Sequence, residues 1–575
     1  MFGTHASHVL QTCGSRVSEH AGRVSTNSHH GLTLLNVPSA ALLNPQPKLS
    51  EPGMSLAMNK SARICGTIIF VLICLAPARA NVSLPDVISS GMVLQRNQRV
   101  PIWGTAEPGE TVTVKFAGQS RTATAPANGK WLIKLEPIRA NATPAVMIIS
   151  GKNTIELKNI LVGEVWLVAG QSNMQRLLSE TANGDGAIAA ANHPLIHLFN
   201  VSRQVAFKHA PPPLATWAAC SPHSVKEFSA AGYYFGVELE NELHVPVGLI
   251  NASYGGSQAE AWTPVEYLLA SADLRPTVER KKIWDEERPR VRAEYDQALK
   301  KWRADSDKAV AAGARPSPSP AVPDALREYR IAASIYDGMI APLIPFYIRG
   351  AFWYQGESNE ARAQQYAMLL PTMIKAWRER WGEGNFPFGI IQLPNYRDPN
   401  LQPADEAWSH VREAQRRTAV STLHTGLIVT IDIGEAHDIH PKNKLDVGKR
   451  MARWALADVY GQKLTSSGPM FREAKISGAR IILKFDEAGS GLKLRDGDKL
   501  DEFAIAGADQ KWHWANAKIV GKDVIEVWSD EVPQPLAVRY AFNNNPRHPN
   551  LTNDTGLPAA PFRTDTWPGP TDGKR

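Results

Sequence analysis

The sequence predicts an α/β protein with small antiparallel β modules at both ends, on three observations. Five nearly continuous apolar runs recur through the middle of the chain: "ILVGEVWLVAG" from Ile160, "VPVGLINAS" (245–253), "IRGAFWYQG" (348–356), "FPFGIIQLP" (386–394) and "TGLIVTIDIG" (425–434). Runs without polar alternation suit strands buried on both faces of a parallel sheet. The segments between them have helical spacing, as in Ala361 to Trp381 and Lys442 to Tyr460, and such alternation implies a sheet with helices on both faces. The flanking regions hold shorter β-branched and aromatic runs separated by turn residues, which is the pattern of antiparallel modules.

In chain order, 81–159 reads as a small β-sandwich: "MVLQR", "VPIWG", "TVTVKFAG" and "KWLIKL" are strands, and Pro108-Gly109 and Asn128-Gly129 are turns. The α/β domain spans 160–463. It is interrupted over about 272–323 by a charged stretch of helical spacing that the Pro/Ser segment 316–323 closes. This insert is expected to be a solvated helical excursion, with a lid over the active site as the sharper alternative. Strand patterns return in "ARIILKF", "VIEVW" and "LAVRYAF", giving a C-terminal β module over 464–566 and a polar tail over 567–575.

At 575 residues, 43% hydrophobic and 21% charged, the chain is long enough for several domains. The net charge of +7 is thinly spread. With no Lys/Arg block interleaved with aromatics, nucleic acid is not expected as a partner. The run Ile64 to Pro77 follows Lys60 and Arg63 and ends in Ala78-Arg79-Ala80, the pattern of a secretory signal peptide over 58–80. Translation is then expected to begin at Met54 or Met58, with 1–57 an unstructured leader. The mature chain would retain Cys220 alone, so it would form no internal disulfide and keep no membrane segment. The expected location is periplasmic or extracellular.

Ligands of open α/β sheets bind beyond the carboxyl ends of the strands. After the first run comes Gly170-Gln171-Ser172-Asn173-Met174, with a serine placed to present its hydroxyl at the sheet edge. It is not a G-x-S-x-G elbow, since position 174 is Met. The second run ends in Tyr254-Gly255-Gly256, where glycines let a backbone N–H approach a ligand closely. After the third come Gln355, Glu357 and Asn359, and Gln355 is a candidate oxyanion donor. The last leads to Asp432, Glu435, His437, Asp438 and His440, and a carboxylate beside a histidine is what a catalytic base requires. Two histidines three apart with Asp438 also suggest zinc, but no second histidine-rich segment completes a shell, so no metal is expected.

These residues lie in "GEVWLVAGQSNM", "GLINASYGGSQAEAW", "YDGMIAPL", "RGAFWYQGESN", "IDIGEAHDIHPKNK" and "GLPAAPFRTD". In these motifs the chain resembles the sialate O-acetylesterase group of carbohydrate esterases, within the SGNH/GDSL hydrolases, over roughly 81–566. The resemblance implies a flavodoxin-like, three-layer domain with a parallel sheet and accessory β-sandwich modules. It implies Ser172 as nucleophile and His440 as base. The oxyanion hole it implies is made by the Ser172 N–H, Gly255 or Gly256, and Gln355, with no cofactor. Asp438 is the expected acid, two before His440 where the superfamily places Asp three before; Glu357, Asp432 and Glu435 are stand-ins. Glu357 and Asn359 are expected to support the site.

The substrate implied is an acetylated carbohydrate, either a 9-O-acetylated sialic acid or a plant polysaccharide such as xyloglucan or xylan. Trp217, Tyr254, Trp262, Trp353 and Trp408 are candidate sugar platforms, with core packing as the plain alternative. A non-catalytic carbohydrate-binding protein and a lipase are the readings of other classes. Oligomeric state is left open.

Overall fold

The computed structural model of the chain describes residues 81–206 and 214–575. The leader and the apolar run read as a signal peptide lie outside the described residues.

In the N-terminal module, Pro101–Thr105 pairs antiparallel with Lys130–Lys134, and Thr111–Phe116 pairs with both Gln119–Thr124 and Asn141–Ser150. Val112, Val114 and Phe116 are buried while Thr111 and Lys115 face solvent, the alternation of a half-buried strand. Ala117 and Gly118 both take positive φ (48° and 76°) at the tip of the hairpin, the I′ geometry whose twist matches that of the strands.

The strand Thr154–Gly170 carries the chain from this module into the central sheet without a break. Its first residues alternate in burial and pair antiparallel with Asn141–Ser150. From Ile160 onward every residue is buried. Residue 160 therefore lies inside a strand, at the point where its neighbours change from a sandwich to a sheet covered on both sides.

Across the central sheet the order is Thr425–Ile428, Phe388–Ile391, Gly350–Tyr354, Thr154–Gly170, Val247–Ser253, His193–Asn200 and Trp217–Cys220. All pairings are parallel except that of the edge strand Trp217–Cys220. Successive side chains point to opposite faces. Trp166 and Val168 pack in one layer with Phe235 and Leu239 of helix Ala230–Leu243 and Val447 and Met451 of helix Leu445–Trp454. Val165, Leu167 and Ala169 pack in the other with Met373 and Trp377 of helix Ala363–Trp381 and Val411 and Ala414 of helix Ala407–Ser421. The domain is a three-layer α/β fold.

The C-terminal module has its own core, including Leu483, Phe485, Val527, Tyr540 and Phe562. Its sheets are antiparallel. Fully buried Arg412 of the α/β domain donates to the carbonyls of Asn543 and Asn544, closing the junction. The segment expected to be a tail, 567–575, is mostly exposed, with two anchoring contacts: Trp567 lies against Trp512 and the Thr571 hydroxyl donates to Gln364. The insert is one exposed helix, Arg275–Ala311, tied down near its start by Arg280 on Glu260 (3.0 Å). Its return places Tyr329 and Arg330 beside Gly256, where Arg330 Nε donates to the Gly256 carbonyl (3.1 Å).

At the carboxyl end of the central strand Gly170 takes φ +143°, and a Cβ there would stand 2.2 Å from the Tyr354 carbonyl oxygen. Gly170→Ala is expected to destabilise the protein by about 1–3 kcal/mol from the backbone conformation alone, with the clash in addition. Equilibrium denaturation should show a lower midpoint, and an unchanged midpoint would contradict this account.

Candidate active site

Thr154–Gly170 has Val247–Ser253 on one side and Gly350–Tyr354 on the other, and the chain winds outward in both directions from it. That reversal leaves a crevice at its carboxyl end. Ser172 stands there, opening the four-residue helix Ser172–Gln175. A Cβ built on Gly255 would lie 3.5 Å from the Ser172 Cβ, so the 255 loop is at the serine's side.

His440 Nε2 lies 2.9 Å from Ser172 Oγ, within hydrogen-bond distance. The imidazole is in position to accept the serine proton. Asp438 Oδ1 accepts the His440 backbone N–H (2.8 Å) and stands 3.7 Å from Nδ1, beyond a hydrogen bond. The stand-in carboxylates are engaged elsewhere: Asp432 with Arg450, Glu435 with the Lys442 N–H, and Glu357 with Asn173. His437 is exposed beside Asp398 (3.6 Å), away from Ser172. Burial holds the His440 pKa below the usual 6.5, and Arg176 adds to the effect. Asp438 opposes it, and weaker contributions come from Lys444 (lowering) and Glu180 (raising).

The expected oxyanion donors divide. Gln355 is buried, and its Nε2 donates to Asn359 Oδ1 (2.7 Å) and the Ser257 carbonyl (3.2 Å). Asn359 Oδ1 also accepts the Ala259 N–H, so it cannot be a donor, and the orientation of Gln355 follows. Both hydrogens of Gln355 are committed within the protein, which corrects the expectation that its side chain reaches an oxyanion. Its work here is to join the 257–259 loop to the 355–359 loop. The Gly255 N–H is likewise taken, by Gln175 Oε1 (2.7 Å). The N–H groups of Ser172 and Gly256 have no acceptor among the described residues.

A family model described as "Carbohydrate esterase, sialic acid-specific acetylesterase" matches residues 162–312 and 324–457. The sialate O-acetylesterase of Mus musculus is 27% identical over 521 residues, covering 83% of this chain and 93% of that protein. The Homo sapiens sialate O-acetylesterase is 25% identical over 529 residues, with 84% and 93% covered. A carbohydrate acetylesterase from Xanthomonas citri has a similar solved structure: TM-score 0.71 and 34% identity, covering 84% of this chain and 100% of that one. The chain belongs to the sialic acid-specific acetylesterase family of carbohydrate esterases. It is a carboxylic ester hydrolase.

Of the five aromatics expected to stack on sugar in this acetylesterase, the structure withdraws four. Trp217, Trp262, Trp353 and Trp408 are buried, and each indole N–H has an internal acceptor: the Val87 carbonyl, Ser257 Oγ, Tyr366 Oη and the Pro394 carbonyl respectively. They fill the space between sheet and helices. Tyr254 alone of the five is partly exposed, stacked on Tyr329 with ring centroids 4.8 Å apart.

Several residues at the acetylesterase site were not singled out from the sequence. Asn173 and Gln175 follow Ser172, Arg176 borders His440, Lys444 lies beneath the histidine loop, and Tyr329 comes from the insert's return. Asn173, Gln175 and Lys444 had a signal: uncharged amides one and three places after Ser172, and a lysine four after His440.

A general base works only when neutral, so with His440 in that role kcat/KM of the free enzyme should fall as pH drops through the His440 pKa. That acid limb is expected to lie below 6.5. Arg176→Gln should move it up and Asp438→Asn should move it down, read from kcat/KM profiles. Because Asp438 does not bond Nδ1, Asp438→Asn should lose well short of the roughly 10⁴-fold seen when a hydrogen-bonded triad aspartate is neutralised.

Proposed function

We propose that the chain is a serine carbohydrate O-acetylesterase that hydrolyses 9-O-acetyl esters of sialic acids through an acyl-enzyme on Ser172. The observation that carries this reading is the 2.9 Å approach of His440 Nε2 to Ser172 Oγ at the carboxyl edge of the central sheet. The substrate class is taken from the sialate O-acetylesterases that the chain resembles along most of its length.

His440 removes the Ser172 proton as Oγ bonds to the acetyl carbonyl carbon, giving a tetrahedral oxyanion. The N–H groups of Ser172 and Gly256 are the uncommitted donors for that charge. Collapse breaks the bond to the sugar oxygen, which takes its proton from His440. Water, deprotonated by the same imidazole, then attacks the acetyl-serine, and acetate leaves. Asp438, with its carboxylate one-third exposed, favours the imidazolium across 3.7 Å. Export of the mature enzyme is part of this proposal, on the basic, apolar and small-residue order of 58–80.

Ser172→Ala and His440→Ala are each expected to cost on the order of 10⁶ in turnover, measured as acetate release from an acetylated sugar. Near-normal turnover in Ser172→Ala would end the mechanism. The substrate is tested on a panel of 9-O-acetylated sialic acid, acetylated xylan and acetylated xyloglucan. The sialate should give the highest kcat/KM, and a higher value on either polysaccharide would move the assignment to plant polysaccharide.

A further inference from the structure

Beneath the catalytic pair lies a buried polar chain that the acyl-transfer steps do not use. Lys444 Nζ donates to Asn173 Oδ1 (2.8 Å) and to the Pro441 carbonyl (2.7 Å). Asn173 Nδ2 donates to the Ile439 carbonyl (3.0 Å) and to Glu357 Oε1 (2.7 Å). Asn173 and Lys444 are buried, and Glu357, though partly exposed as a residue, keeps its Oε2 out of solvent. The orientation of the Asn173 amide is determined by its partners. A backbone carbonyl can only accept and an ammonium can only donate, so Nδ2 faces Ile439 and Oδ1 faces Lys444.

The two carbonyls held in this way belong to the residues on either side of His440. The other ends of the same peptide units are held as well. The His440 N–H goes to Asp438 Oδ1 and the Lys442 N–H to Glu435 Oε1 (2.8 Å each). The backbone around the base is therefore gripped at both ends of two peptide units. One of the gripping side chains belongs to the residue bonded directly to the nucleophile.

We propose that Asn173 and Lys444 are positioning residues for acyl transfer, setting the Ser172–His440 distance by clamping the carbonyls that flank the base. This rests on the reading of Ser172 and His440 as the catalytic pair. Glu357 completes the clamp by taking the second Asn173 hydrogen. Burial raises its carboxyl pKa, and the Asn173 hydrogen bond and Lys444 offset only part of that. Burial pushes the Lys444 ammonium down to about 7, with Glu357, Asp438 and Glu435 opposing the shift and Arg176 adding to it. A clamp built from poorly solvated groups loses its partners together when one is removed, because each polar atom left unpaired in the interior is costly.

The experiment compares Asn173→Ala, Asn173→Asp and Lys444→Met with wild type, counting active sites by titration with a serine-reactive phosphonate. Expected is a fall in kcat per titrated site of about 10²-fold, the cost of displacing a reacting group by an ångström, with KM within about 3-fold. Lys444→Met should also raise the acid limb of kcat/KM, since a cation that disfavours the imidazolium is gone while Arg176, Asp438 and Glu180 remain. A purely structural role would lower thermal stability and leave kcat per titrated site as in wild type, and that result overturns the proposal. Asn173→Asp keeps the shape of the side chain and the Lys444 contact but has no hydrogen for Ile439. It carries the test if the other two do not fold, with wild-type kcat again overturning the clamp. Ser172→Ala is run in parallel: its activity bears on the catalytic pair, whereas a dead Ser172→Ala beside wild-type clamp variants removes the clamp alone.

Discussion

A hydrogen bond of 2.9 Å joins Ser172 and His440 across 268 residues of sequence, and most of the polar architecture near the crevice keeps it at that length. The serine side is held by regular structure: it follows the most central strand of a parallel sheet, clamped between strands on both sides. The histidine side has no such support, since residues 430–444 form neither helix nor strand. Ordering irregular backbone costs about 1–2 kcal/mol per residue in entropy, so the loop is tied at many points. The Gly434 N–H goes to Asn395 Oδ1 and the Ala436 carbonyl accepts the Arg397 N–H, while Asp438, Asn173 and Lys444 hold the peptides around His440. Asn395 is itself held by Asn545 of the C-terminal module (2.8 Å). That module thus takes part in placing the His440 loop, which it does not touch in sequence.

Two buried carboxylates on either side of the crevice show how surroundings divide similar groups. Burial would raise the Glu260 pKa, but Arg362 and Arg280 outweigh it and hold the carboxyl below its usual range. That charged centre accepts from Asn359, which accepts from Gln355, so the Gln355 amide ends in a structural network that reaches the helical insert through Arg280. Glu357 has no arginine partner among the described residues and is pushed the other way. An amide at a strand end therefore serves as an oxyanion donor only if nothing nearby accepts its hydrogens, and here Ser257 and Asn359 do.

The parts of the fold that were legible are those written in local periodicity. The apolar runs at 160–170, 245–253, 348–356 and 386–394 became parallel strands because unbroken burial leaves a segment no other place in a globular chain. The run at 425–434 yielded a strand only over Thr425–Ile428, after which the chain turns to deliver its histidine. The tryptophans were not legible. An indole in a strand or helix has the same sequence signature whether it lines a cleft or fills a core, and only the three-layer packing put Trp262, Trp353 and Trp377 edge to face inside. The two anchors of the C-terminal tail were not legible for the same reason, since Trp567 and Thr571 find partners in other parts of the chain.

By itself, the sequence determined the class of fold, the order of the elements and the residue types that gather beyond the strand ends, because these follow from hydrophobic period and turn chemistry acting over a few residues. It also placed the serine and the histidine in separate motifs on the same sheet edge. Only the tertiary structure decided which polar hydrogens are free and which are spent, that Asp438 stands at 3.7 Å from the imidazole and not in a hydrogen bond, and that Asn173 and Lys444 reach the carbonyls beside His440. Those outcomes depend on distances between segments far apart in the chain. A difference of one ångström separates a hydrogen bond from a mere neighbour, and no local pattern encodes it.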